Sequence, residues 1–150
     1  MGYISELREK VGSRPLIMVG ACVLVFNEQG QLLLQKRSDS LDWGTIGGAL
    51  EPGESLEEAA MRELYEEAGL QAQSLSFRAL LSGSDMYYKY PHGDEVYNVM
   101  AVFEVREVTG KMRVNDNEGL DLQYFSLTEP IANLNAMTEH VLKRLGLICE

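Results

Sequence analysis

Seven glutamates, at positions 51, 54, 57, 58, 63, 66 and 67, share a seventeen-residue stretch with a single base, Arg62, so a net charge of −6 is concentrated there. A run of acids is ordinarily a solvated surface. Helical geometry argues otherwise here: at about 100° per residue, Leu56, Ala60, Leu64 and Ala68 form an apolar stripe, and Glu63 and Glu67 project within roughly 20° of the direction of Leu56. Carboxylates crowded at the edge of a core-facing stripe repel one another unless a cation neutralises them. Oxygen-only donors on a loop and a helix, with no Cys or His nearby, suit a hard divalent ion, Mg2+ or Mn2+, rather than Zn2+. The chain has no Asp-x-Asp-x-Asp-Gly loop, which excludes an EF-hand calcium buffer.

Such a cluster needs rigid elements to hold it. Ser55 with Glu58 three residues on forms a capping box, and Gly69 is a C-cap, so one helix spans the acids between well-marked ends. Upstream, Tyr3, Leu7 and Val11 recur four residues apart, a short N-terminal helix stopped by Gly12 and Pro15. The segments 17–26 and 31–36 read as strands joined across Asn27-Glu28-Gln29-Gly30. Segments 75–81, 95–104 and 120–125 read as further strands, and 137–145 as a second amphipathic helix. Glycine and proline punctuate 44–53 densely. The expectation is an α/β fold whose mixed sheet is built mainly of meandering strands with helices packed upon it.

With 150 residues, 45% hydrophobic and 24% charged, and without repeats or a long linker, residues 1–150 read as one domain large enough to bury a core. A net charge of −10 repels the backbone of nucleic acid and an anionic membrane surface, so neither is an expected partner. The apolar run 16–26 is too short to span a bilayer, and Glu6 and Glu9 spoil a basic leader ahead of Cys22. Cys22 and Cys149 form no zinc or disulfide pattern, which points to a reducing cytoplasm.

Gly48, then Glu54 after five residues, then Arg62-Glu63-Leu64-Tyr65-Glu66-Glu67-Ala68-Gly69-Leu70 after seven more, resembles the 23-residue signature of the Nudix hydrolases at every specified position of 48–70. Lys36-Arg37 at a strand end, Trp43-Gly44 and Tyr124-Phe125-Ser126-Leu127 extend a weaker resemblance over most of the chain. One departure is Ile46, where family members often carry proline before the two glycines.

The resemblance implies an α/β/α sandwich with a mixed sheet and the short N-terminal helix, and hydrolysis of a pyrophosphate bond in a small nucleoside diphosphate derivative, with Mg2+ or Mn2+ as cofactor. A nucleotide sugar such as ADP-ribose is favoured, with a nucleoside triphosphate as the other class. By position, Glu66 and Glu67 hold metal with help from Glu63 and the carbonyl of Gly47, and Glu54 acts in or near that shell. Glu63 is the first choice of general base, and Arg62 orients a glutamate through a bidentate ion pair. A further acid from outside the signature, as a metal ligand or the base itself, is Glu118, with Asp121, Asp94 and Glu95 as alternatives, each of which a solvated loop acid explains as well. Arg37 is a phosphate contact, or simply a surface arginine. Tyr88, with Tyr87 and Tyr90, is a platform for a base or sugar, although alternation along a strand explains Tyr87 and Tyr88 equally well. His92 and His140 receive no role. The competing readings are a non-catalytic nucleotide-binding sensor on the same fold, which predicts damaged carboxylates, and an isoprenoid diphosphate isomerase, which Cys22 suits poorly. A homodimer stays open, with the N-terminal helix packing on its own domain or on a partner.

Overall fold

The computed structural model describes residues 2–114 and 119–149. The element order is α1 (Tyr3–Val11), β1 (Leu16–Val25), β2 (Leu32–Arg37), β3 (Trp43–Gly44), β4 (Ile46–Ala49), α2 (Leu56–Ala68), β5 (Ser76–Leu81), a 3-10 turn (Ser84–Met86), β6 (Tyr87–Lys89), β7 (Glu95–Val105), β8 (Gly119–Phe125) and α3 (Ala136–Arg144). Among the described residues, no helix is long and apolar enough to cross a membrane.

The long strand β1 organises the domain. It is buried on both faces for most of its length, which is why its sequence reads as a continuous apolar run. Ala21, Val23 and Val25 face Ala60, Leu64 and Ala68 of α2 in one core. Cys22, Leu24 and Phe26 face the opposite way, into a second core with Val141 and Leu142 of α3. The two helices therefore cover opposite faces, the α/β/α layering expected from the resemblance.

The meander does not hold. β1 pairs in parallel with β7, from Leu16 opposite Val96 to Val25 opposite Val105, and antiparallel with β4. One sheet runs β4-β1-β7-β5, with β6 also on β7, and a second runs β3-β2-β8. Helix α2 intervenes between β4 and β5, supplying the covered crossover that a parallel neighbour requires.

Two glycines let β4 approach β1. A Cβ on Gly47 would lie 2.4 Å from the Ala21 carbonyl oxygen, and one on Gly20 would lie 2.6 Å from the Gly48 carbonyl oxygen. Side chains at either position would push the strands apart. The caps of α2 form as expected: Ser55 accepts from the Glu58 amide, Glu58 accepts from the Ser55 amide, and Gly69 takes the left-handed conformation at φ 73°.

Candidate active site

Helix α2 crosses the β4 end of the sheet so that its acidic edge lies against Gly47 and Gly48. Glu63 and Glu67 are buried, 9% and 4% exposed, as their flanking of the apolar stripe requires, whereas Glu66 is exposed. Glu63 rests directly on the backbone: a Cβ on Gly48 would sit 2.6 Å from its carboxyl carbon. Glu67 is held from two sides. The Gly47 amide donates to its Oε1 and the Gln35 side-chain amide to its Oε2, each at 2.8 Å.

Arg62 gathers more than the single partner expected of it. Its Nε and Nη2 grip Glu54 bidentately at 2.6 and 3.0 Å, while Nη1 donates to Glu63 at 2.6 Å and to Glu66 at 3.3 Å. Nη2 also donates to the Ala49 carbonyl at 3.0 Å, tying the helix to the end of β4. Hydrogen bonds from Arg62 hold the Glu54 carboxyl below the usual carboxylate range, and the same bonds push the Arg62 guanidinium up.

A cleft of about 740 Å³ opens on this cluster, lined among others by Gln35, Arg37, Gly47, Gly48, Glu63, Glu66 and Glu67. Its rim is completed by Gly2, Ile4 and Ser5 at the start of α1, where the Tyr3 amide donates to Glu51 at 3.0 Å. A smaller pocket of about 100 Å³ adjoins it, lined by Cys22, Thr45, Tyr88, Asn98, Asn135 and Thr138 among others. Met18, Arg37, Gly47, Gly48 and Tyr90 line both, so the two share a wall.

Arg37 stands at the junction, clasped by Asp39 at 3.1 and 3.0 Å. Burial opposes its charge, but the hydrogen bonds and charge of Asp39 outweigh burial and raise its pKa. The Tyr88 ring meets Tyr90 edge-on at 5.0 Å, and its hydroxyl accepts from Asn135, which also donates to Asp42. The Asn135 side-chain oxygen Oδ1 caps α3 by accepting from the Met137 and Thr138 amides. Burial pushes the Cys22 thiol up to about 11, leaving it protonated and unreactive at neutral pH.

The geometry thus brings together Gly47, Glu54, Arg62, Glu63, Glu66 and Glu67 at one end, and Arg37 and Tyr88 toward the other. Glu54 is engaged on both oxygens by Arg62. Glu118 lies outside the described residues. Asp121 is exposed, Asp94 pairs with Arg8 at 3.5 Å, and Glu95 accepts from the Tyr87 hydroxyl; none of the three lines the cleft. Sequence reasoning missed Gln35, Asp39, Asn98 and Asn135. A polar residue closing the apolar run Leu32 to Leu34 and an asparagine directly before a helix were the available signals for the first and last.

Among the described residues, no three acidic, His or Cys side chains already enclose a metal position. Their chemistry nonetheless fits a hard cation. Glu63, Glu66 and Glu67 offer only carboxylate oxygens to one cleft beside the Gly47 backbone, and Arg62 is the cation that offsets Glu63 and Glu66 as they stand.

The family model described as NUDIX domain matches residues 16–145. The nucleoside triphosphatase NudI of Salmonella arizonae is 30% identical over 139 residues, covering 85% of this chain and 95% of that protein. A putative 8-oxo-dGTP diphosphatase of Bacillus subtilis strain 168 is 55% identical over 53 residues, a match spanning only 35% of this chain and 36% of the relative. The crystal structure of a MutT NUDIX hydrolase from Burkholderia pseudomallei superposes with a TM-score of 0.71 at 25% identity, covering 87% of this chain and 97% of that one. The NUDIX domain of Shewanella oneidensis NrtR, cocrystallised with ADP ribose, shares the fold at a TM-score of 0.64 and 18% identity, covering 97% of this chain and 99% of that one.

Proposed function

The chain belongs to the NUDIX family and is a pyrophosphohydrolase, and from that premise we propose that it splits the phosphoric anhydride of a nucleoside triphosphate with Mg2+ or Mn2+, releasing a nucleoside monophosphate and pyrophosphate. The observation that carries this reading is the wall that the acidic cleft shares with the smaller pocket, formed by Arg37 and by Gly47 and Gly48. About 100 Å³ is room for several waters, and we assign the nucleobase to this pocket. A base held there directs its phosphates past Arg37 toward Glu63, Glu66 and Glu67. The name of the NudI relative, which matches 85% of this chain, favours a triphosphate over the nucleotide sugar that the tyrosine loop alone suggests.

Glu66 and Glu67, with the Gly47 carbonyl, are the residues to hold the metal, which when bound neutralises phosphate charge in the ground state and as it shifts during transfer. Glu63 takes a proton from the attacking water. Arg62 keeps Glu54 and Glu63 in register with α2, a duty its three carboxylate partners support. Arg37 binds a phosphate oxygen, pre-oriented by Asp39. Tyr88 forms part of the wall against the base.

The test is a comparison of kcat/KM for the eight common nucleoside triphosphates with that for ADP-ribose and related nucleotide sugars, in Mg2+, with products identified by phosphorus NMR. A triphosphate leading by tenfold or more is expected. A nucleotide sugar leading by the same margin replaces the substrate class, undiminished turnover after exhaustive chelation removes the metal, and binding without turnover of any of them leaves the sensor reading.

A further inference from the structure

Gln35 is the one polar residue in the buried stretch 32–35 of β2, at 3% exposure. Its Nε2 reaches Glu67 Oε2 at 2.8 Å while the Gly47 amide takes Oε1 at 2.8 Å, so donors from two different strands hold the two oxygens of one carboxylate. A carboxylate held on one oxygen can swing about that bond; one held on both has its plane fixed. The other end of the Gln35 amide is not so well placed. Its Oε1 is buried without a hydrogen-bond donor among the described residues, packed close enough to β8 that a Cβ on Gly119 would lie 3.0 Å away. Turning the amide over brings no relief, because it would set Oε1 against the Glu67 carboxylate, acceptor to acceptor. A buried acceptor without a donor destabilises a fold, and an apolar side chain of the same length removes that cost. The same replacement would leave Glu67 Oε2 without its Gln35 donor, so what glutamine contributes at this position is the Nε2 contact.

Resting on the reading of Glu67 as a metal ligand, we propose that Gln35 is a positioning residue that fixes the Glu67 carboxylate for metal binding. Partners that orient metal ligands typically carry 10- to 100-fold in metal affinity or activity. The signature from 48 to 70 does not contain Gln35, which reaches the site only because β2 lies beneath it.

The experiment uses the full chain and its Gln35→Met and Gln35→Leu variants. Mn2+ is titrated without nucleotide and followed by electron paramagnetic resonance, and thermal melts are recorded without metal. The expected result is a Kd for Mn2+ raised about tenfold or more in both variants, each of which still melts cooperatively without metal. At subsaturating Mn2+ the variants lose turnover, and at saturating Mn2+ they regain most of it. Mn2+ binding within twofold of the parent in either variant overturns the proposal. So does a loss of Mn2+ binding that accompanies loss of a cooperative melt in both variants, which would make the residue a structural one. If the parent itself binds no Mn2+, the metal reading of the site falls, an outcome distinct from normal binding that survives the substitution.

Discussion

At the acidic end of the cleft, every carboxylate that Arg62 grips lies within eight residues of it in the chain. The pocket at the other end is closed by Tyr88, Asn98 and Asn135, with Asp42 bound to Asn135 across 93 residues of sequence and Tyr88 across 47. The Arg62 network is one helix and the loop before it, so its chemistry survives as spacing. The second is an assembly of a β2–β3 loop, a short strand, a long strand and a helix cap, so its chemistry exists only once the sheets have formed. Substitutions at the acidic end should therefore change chemistry and leave the fold, whereas those in the pocket should change affinity and stability together.

The largest expected effect is at Glu63. Glu63→Gln keeps the volume and removes the proton acceptor, and turnover should fall by roughly 10² to 10⁴ with little change in melting temperature. Turnover within threefold of the parent would hand the role of base to an acid outside the signature, and the acidic end would no longer be self-contained.

Asn135→Ala probes the opposite region. It removes the α3 cap and the hydrogen bonds to Asp42 and Tyr88, and should cost about 1 to 2 kcal/mol in denaturant unfolding while raising KM more than it lowers kcat. Full stability with an unchanged KM would show that the pocket does not depend on contacts between distant segments.

A smaller effect concerns pH. Because hydrogen bonds from Arg62 depress the folded pKa of Glu54 below its ordinary 4.5, the stability they contribute is fully present above that value and is lost as pH falls through the lowered one. Unfolding midpoints measured at falling pH should drop less steeply in Glu54→Gln than in the parent. Equal slopes would mean that the Arg62 network does not couple folding to acid. The smallest change is Tyr88→Phe, which forfeits one partly buried hydrogen bond and should cost about 1 kcal/mol or less. Combined with Asn135→Ala it should add almost nothing, because both remove the same bond.

The same contrast explains what could be read before the fold was known. The ends of α2 were legible because Ser55, Glu58 and Gly69 carry their capping chemistry locally, and the burial of Glu63 and Glu67 followed from the 3.6-residue period. The two-residue strand β3 and the four-residue β4 were not, since glycine-rich segments lack a strand signature of their own and pair only because β1 and β2 offer edges. The parallel pairing of β1 with β7 was hidden for a similar reason: an apolar run buried on both faces names no neighbour. Gln35 was passed over because its partner, Glu67, is 32 residues away, and Asn135 because its role as a hub depends on Asp42 and Tyr88 arriving from elsewhere.

The parallel pair also sets a timetable. Each rung of it joins residues 80 positions apart, from Leu16 with Val96 to Val25 with Val105. Contacts of that separation form late, after the loop between them has been closed at an entropic cost. During synthesis, at about 5 to 20 residues per second, roughly 4 to 16 seconds separate the appearance of a β1 residue from that of its β7 neighbour. Over that interval β4 can shield only one edge of the strand, from Gly20 to Val23. The nascent chain therefore carries a strongly apolar strand with its β7 edge unpaired for seconds, and its yield in a cell should depend on temperature and chaperone supply more than the stability of the finished domain suggests.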